Sequence, residues 1–203
     1  MKLYASPASS FARKIRVMLI EKNVPHDIEM VNLWEPNDLK RINPLGKVPA
    51  LALDDGRVLV NSPLIADYLD SRFPKPCFIS DDPDLRHEVR RCEALADGTM
   101  DAVSASLYEM RFHDAIQRSE TWLERQRGKI DAGFSTLERT LGDRAWFVGD
   151  TLSLADLAIA CHLGFIVLRA PQFFPQEKYP TLARLRDSMA QRESMKRTAP
   201  PPG

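Results

Sequence analysis

The chain has 203 residues, of which 44% are hydrophobic, and its 28 lysines and arginines balance 28 aspartates and glutamates to a formal net charge of zero. That length is ample for a buried core and fits one large or two small domains. A nucleic-acid binder carries a basic excess or a basic face, and the composition shows no such bias.

In chain order, Lys2 to Ala5 reads as a short buried strand, with Tyr4 taken as part of its core packing. The loop Ser6-Pro7-Ala8-Ser9-Ser10 follows. Phe11, Ile15, Met18 and Leu19 then recur at helical spacing, so a helix is predicted from Phe11 to about Lys22. Asn23 suits a left-handed C-cap and Pro25 stops continuation. Ile28 and Met30 alternate with Asp27 and Glu29 as a second strand, so strand, helix, strand implies a right-handed crossover and a parallel pair. Asn32 to Lys40 is a polar loop carrying Trp34. Pro49 stands before the apolar run Ala50 to Leu53, where a strand tolerates proline only at its start, an edge or a bulge. The backbone at Val48 is then extended and free to pair with a bound peptide. Asp55-Gly56 predicts a hairpin with a type I′ turn. Ser62-Pro63 predicts a helix start with Ser62 as N-cap and Pro63 as the first helical residue, and a helix N-terminus with a serine hydroxyl is a ready anion site.

The segment Asn43-Pro44-Leu45-Gly46-Lys47-Val48-Pro49-Ala50-Leu51, the Asp55-Gly56 hairpin and Asn61-Ser62-Pro63-Leu64-Ile65-Ala66-Asp67-Tyr68-Leu69 together resemble the cytosolic glutathione S-transferases. The resemblance runs over essentially the whole chain and is nearest to serine-loop bacterial, zeta-, omega- and beta-like members. It implies that Pro49 is cis, that the Val48 backbone pairs with the cysteinyl unit of glutathione, and that Asn61 and Ser62 hold its γ-glutamyl end. Phe11, Trp34 and Lys47 border the same cleft by the same analogy. The fold class is an α/β N-terminal thioredoxin-like domain, βαβ then ββα with a mixed four-stranded sheet, plus an all-α C-terminal bundle. The expected organisation is residues 1–75 for the first domain, 76–84 for a linker and 85–203 for the helical domain.

Past the linker no β-like alternation remains. Leu85, Val89, Cys92, Ala96, Val103, Leu107 and Met110 trace one long helix, and Leu123 to Leu141 a second, ended by Gly142. Ser153-Leu154-Ala155-Asp156 is a capping box opening a helix apolar on nearly every face, hence central in a bundle. Thr181 to about Arg192 supplies another helix, and Thr198 to Gly203 is a proline-rich tail expected to fray. The acceptor-substrate wall is expected from Tyr108, Arg111 and Phe112 on the long helix, though core packing is the simpler reading of Tyr108 and Phe112. His87 and His113 lack partners with metal-ligand spacing, so no metal is expected. His162, in the apolar helix, reads as a satisfied core histidine. Cys77, Cys92 and Cys161 are scattered and read as buried thiols in a reducing compartment. The stretch Leu154 to Leu168 is too short to span a bilayer, and no signal-peptide core opens the chain, so a cytoplasmic protein without membrane or nucleic-acid partners is expected.

Chemistry is expected where the first helix begins, because its unpaired amides and dipole stabilise an anion. Serine is too weak an acid to be the nucleophile without a base, so a serine hydroxyl there would donate to a ligand thiolate. Ser9 and Ser10 are both candidates. The family's loop alignment selects Ser9 and places Ser10 where proline usually stands, with Ser10 the stronger candidate for a mere N-cap. The resemblance implies a homodimeric, glutathione-dependent transferase acting on a small hydrophobic electrophile, a disulfide or a peroxide. The alternative is a non-catalytic protein of the same fold that holds a protein partner.

Overall fold

The computed structural model describes residues 1–201; Pro202 and Gly203, the end of the expected tail, lie outside them. The first half runs β1 (Lys2–Ala5), α1 (Ser10–Glu21), β2 (Asp27–Met30), α2 (Leu39–Ile42), β3 (Ala50–Ala52), β4 (Val58–Val60) and α3 (Ser62–Arg72). The sheet order is β2-β1-β3-β4, with β1 parallel to β2 and the other pairs antiparallel. This is the mixed four-stranded, thioredoxin-like arrangement; α2 is a short turn of helix within the stretch read as a loop. Leu3 and Ala5 of β1, Ile15, Met18 and Leu19 of α1, Leu51 of β3 and Ile65 and Leu69 of α3 form its buried core. Tyr4 is only half-buried, because it faces the opposite side of the strand beneath Lys2.

The hairpin turn differs from the expected type. Only Gly56 has a positive φ (88°), with Gly56 N–H donating to Leu53 O and Leu53 N–H to Arg57 O. That is a type I turn followed by a left-handed glycine, the three-residue hairpin solution, and Asp55 stays in ordinary backbone space.

The second half is helical: α4 (Pro83–Phe112), α5 (Glu120–Leu141), α6 (Leu154–Arg169), α7 (Pro180–Ala190) and α8 (Glu193–Arg197), with 3₁₀ turns between. The capping box opens α6, Asp156 accepting from Ser153 N–H and Oγ–H at 2.9 and 2.7 Å and from Phe147 N–H at 2.9 Å. Every residue from Leu154 to Leu163 is buried, and α6 packs on α1, α4 and α7. Each fully buried leucine or isoleucine there contributes about 1.5–3 kcal/mol. The junction between the halves is pinned: Asp70 of α3 accepts from Phe78 N–H and Ile79 N–H, both at 2.9 Å, and pairs with Lys22 at 2.8 Å. The tail does not fray at its start. Thr198 is buried beside Arg13, and Pro201 O accepts from Arg169.

Candidate functional site

The start of α1 resolves the two serines in the opposite sense to the N-cap expectation. Ser9 is the N-cap, its Oγ accepting from Ala12 N–H at 3.2 Å, while its own hydroxyl proton meets no acceptor among the described residues. Ser9 O accepts from Arg13 N–H at 2.9 Å, so the amides of Ser10 and Phe11 are left without partners among the described residues. Ser10 is the first helical residue and is buried. Its Oγ lies 2.8 Å from His162 Nδ1, and His162 Nε2 lies 2.8 Å from Asp97 Oδ1.

Sequence reasoning missed this chain of contacts and the ion pairs that continue it. Lys14, wholly buried, reaches Glu93 Oε1 at 2.8 Å and both Asp97 oxygens at 3.0 Å. Glu93 also meets Arg90 at 2.5 Å, and Arg90 and Arg86 both pair with Asp67. Burial works against the Asp97 carboxylate, but the His162 hydrogen bond and the Lys14 charge hold its pKa below the usual carboxylate range. Partial desolvation and the Asp97 charge push Asp101 up, with His162 and Lys47 opposing. One signal for the network lay in the sequence: Lys14 falls between Phe11 and Met18 on the apolar stripe of α1, where a lysine needs buried carboxylates.

Four further predicted residues meet at one end of the sheet. The β-ladder sets Ala50 opposite both Tyr4 and Val60, so Val48-Pro49, the loop after β1 and Asn61-Ser62 share that end. The Val48–Pro49 peptide bond is cis, and the Val48 backbone has no hydrogen-bond partner among the described residues. Asn43 braces the approach, its side chain donating to Lys47 O at 2.7 Å and accepting from Leu45 N–H at 3.1 Å. Asn61, not Ser62, is the N-cap residue of α3 and takes a positive φ of 78°. Ser62 is therefore the first helical residue and Pro63 the second. The Ser62 hydroxyl is buried and has no partner among the described residues. A left-handed asparagine re-aims the chain so that the serine points inward, which the cap expectation did not anticipate.

Trp34, Tyr108 and Phe112 form an exposed aromatic cluster, with ring centroids 5.8 to 6.1 Å apart. They are 52%, 51% and 63% exposed, so the core reading of Tyr108 and Phe112 is wrong: the last turns of α4 outrun the bundle and leave that face open. The Arg111 guanidinium lies 4.1 Å above the Trp34 ring. Lys47 is exposed and within electrostatic reach of Asp101 on α4. Phe11 packs edge-on to the His162 ring at 4.8 Å.

The protein's own thiols are poor nucleophile candidates. Burial pushes Cys161 up to about 11, and burial also raises Cys92 and Cys77. Cys77 is exposed rather than buried as expected, because it sits in the turn after Pro76. Among the described residues no group of three or more His, Cys, Asp or Glu is placed to hold a metal ion.

A thioredoxin-like sheet, a helix-capping serine, a cis-proline strand start and an all-helical second half define a glutathione-transferase architecture. The sequence matches the glutathione S-transferase N-terminal domain over residues 8–72 and the C-terminal domain over residues 120–188. It is 39% identical to the uncharacterized GST-like protein YibF of Escherichia coli K12, over 99% of both chains. A glutathione S-transferase from Methylobacillus flagellatus, solved with glutathione bound, superposes with a TM-score of 0.94 at 39% identity, covering 98% of this chain and 99% of that one. One from Methylobacterium radiotolerans, in complex with glutathione sulfonate, gives 0.92 at 38% identity, covering 98% and 94%. The chain belongs to the glutathione S-transferase family.

Proposed function

We propose that the protein is a glutathione-dependent transferase in which Ser9 donates its uncommitted hydroxyl proton to the glutathione thiolate. The observation that carries this reading is the contrast between the two serines. The Ser9 proton meets no acceptor among the described residues, whereas the Ser10 hydroxyl is engaged by His162. A hydroxyl donor, two free amides and the positive end of α1 lower a thiol's pKa from near 8.5 toward neutrality. Val48 backbone pairs with the cysteinyl unit beside Pro49, and Ser62, whose buried hydroxyl lacks a partner among the described residues, holds the γ-glutamyl end with Asn61. Phe11, Trp34 and Lys47 border the tripeptide. Tyr108, Arg111 and Phe112 form the wall for a small hydrophobic electrophile, or for a disulfide or peroxide reduced in its place. The working form is a homodimer in the cytoplasm, as the family resemblance implies.

Titration calorimetry with glutathione from pH 6 to 9, in two buffers of different ionisation enthalpy, tests the reading. Micromolar-to-millimolar binding with proton release near neutrality is expected, followed by turnover in an electrophile screen. No binding at millimolar glutathione would refute it.

A further inference from the structure

We infer that Ser10, His162 and Asp97 form an interdomain positioning triad that fixes the first turn of α1 and thereby sets the acidity of the thiol bound there. This rests on the glutathione reading above and concerns residues that the reading does not use.

The Asp97 side of the triad has a fixed donor. An ionised carboxylate only accepts, and Asp97 is held ionised by Lys14, so His162 Nε2 carries a hydrogen and donates to Asp97. Nδ1 on the other side of the ring lies 2.8 Å from Ser10 Oγ, so the ring bridges Ser10 and Asp97.

The same ring grips two consecutive residues. It bonds Ser10 at 2.8 Å and stacks edge-on against Phe11 at 4.8 Å. Ser10 and Phe11 are the residues whose amides are unpartnered at the helix start, and Ser9 with its free hydroxyl is next in sequence. The donors that the start of α1 offers to an incoming anion therefore sit on a three-residue stretch held from the second half of the chain. His162 is anchored in turn by Asp97 on α4, and Asp97 by Lys14, which returns to α1 one turn further on. The loop of contacts closes on the helix it positions. Hydrogen bonds to a thiolate weaken steeply with misalignment, so slack in this turn appears as a higher thiol pKa.

The experiment is an ultraviolet titration of the thiolate of bound glutathione, with affinity from calorimetry and melting temperature measured alongside, in the wild type, His162→Leu, His162→Gln and Ser10→Ala. Leucine removes both contacts, and the thiolate midpoint is expected to rise by about half to one pKa unit, the scale of a helix-terminus interaction. Affinity for glutathione should stay within about threefold, since the tripeptide's other contacts are intact. Glutamine can accept from Ser10 through its carbonyl and donate to Asp97 through its amide, so it should restore the wild-type midpoint. Ser10→Ala should shift the midpoint in the same direction as leucine and keeps the test open if His162→Leu does not fold. A lowered melting temperature with an unchanged midpoint in a folded His162→Leu or Ser10→Ala protein would show a purely structural role and overturn the proposal. A wild type that binds glutathione with no thiolate signal, or does not bind it, overturns the functional reading as well.

Discussion

Replacing Lys14 by methionine should be the most damaging single change to stability outside the apolar core. Lys14 is wholly buried, Glu93 is 2% exposed and Asp97 14%, and the lysine neutralises both carboxylates at 2.8 and 3.0 Å. Removing one member of a buried ion pair leaves an uncompensated charge and costs about 3–5 kcal/mol. Here Glu93 keeps Arg90 at 2.5 Å and Asp97 keeps His162 at 2.8 Å, which points to the lower end, about 3 kcal/mol. For a chain of this size that is a melting-temperature loss of about 6–12 °C. Urea unfolding of Lys14→Met, Glu93→Gln and the double variant measures it. The double variant should recover more than about 1 kcal/mol relative to additivity, since the pair shares one network. The acid limb follows from the sign of the Asp97 shift. Its folded pKa is depressed, so its contribution is fully present above the unfolded carboxylate range and is lost as pH falls through the depressed value. Asp97→Asn should therefore flatten stability against pH below about 4. A Lys14→Met loss under about 1 kcal/mol would show that water reaches the cluster and would refute the reasoning.

Ser9→Ala should lower turnover by about 10²-fold, the scale of one preorganised donor, and also cost about 1 kcal/mol as a lost cap; steady-state kinetics and melting separate the two, and an unaffected rate would remove Ser9 from the chemistry. Gly133→Ala should destabilise by about 1–3 kcal/mol, because its new methyl would stand 2.0 Å from Thr99 Oγ1 where α5 crosses α4. The control Gly128→Ala, with nothing within 4 Å, should be neutral or slightly stabilising; equal losses at both sites would sink the packing argument. Arg111→Ala should change Trp34 fluorescence by removing the cation stacked on its ring, and should raise KM for an acceptor substrate while leaving glutathione affinity unchanged.

The elements governed by local chemistry were legible in the sequence. Pro49 at a strand start, the Ser153–Asp156 capping box and the helical periodicities of α1, α4 and α5 each rest on residues within one or two turns of each other. Errors arose where a local signal has two solutions. Asp55-Gly56 suits a type I turn with a left-handed glycine as well as a type I′ turn, and Asn61-Ser62-Pro63 can place the cap on either polar residue. The Ser10–His162 contact was beyond reach, since its partners are 152 residues apart and each alone has an ordinary explanation. Tyr108 and Phe112 show the opposite limit: helical spacing identifies a face, but only the neighbouring helices decide whether that face is covered.

The Ser10–His162 bond also constrains how the halves of this chain can be exchanged during evolution. A recombinant carrying the first half of a relative with proline at the Ser10 position would bring His162 into an interface with no hydroxyl beside its Nδ1. An orphaned buried polar group costs about 1–3 kcal/mol, a large share of the margin by which a protein of this kind stays folded. Residues 10 and 162 are thus expected to be inherited together, so a lineage that alters one must pass through a weakened intermediate or change both at once.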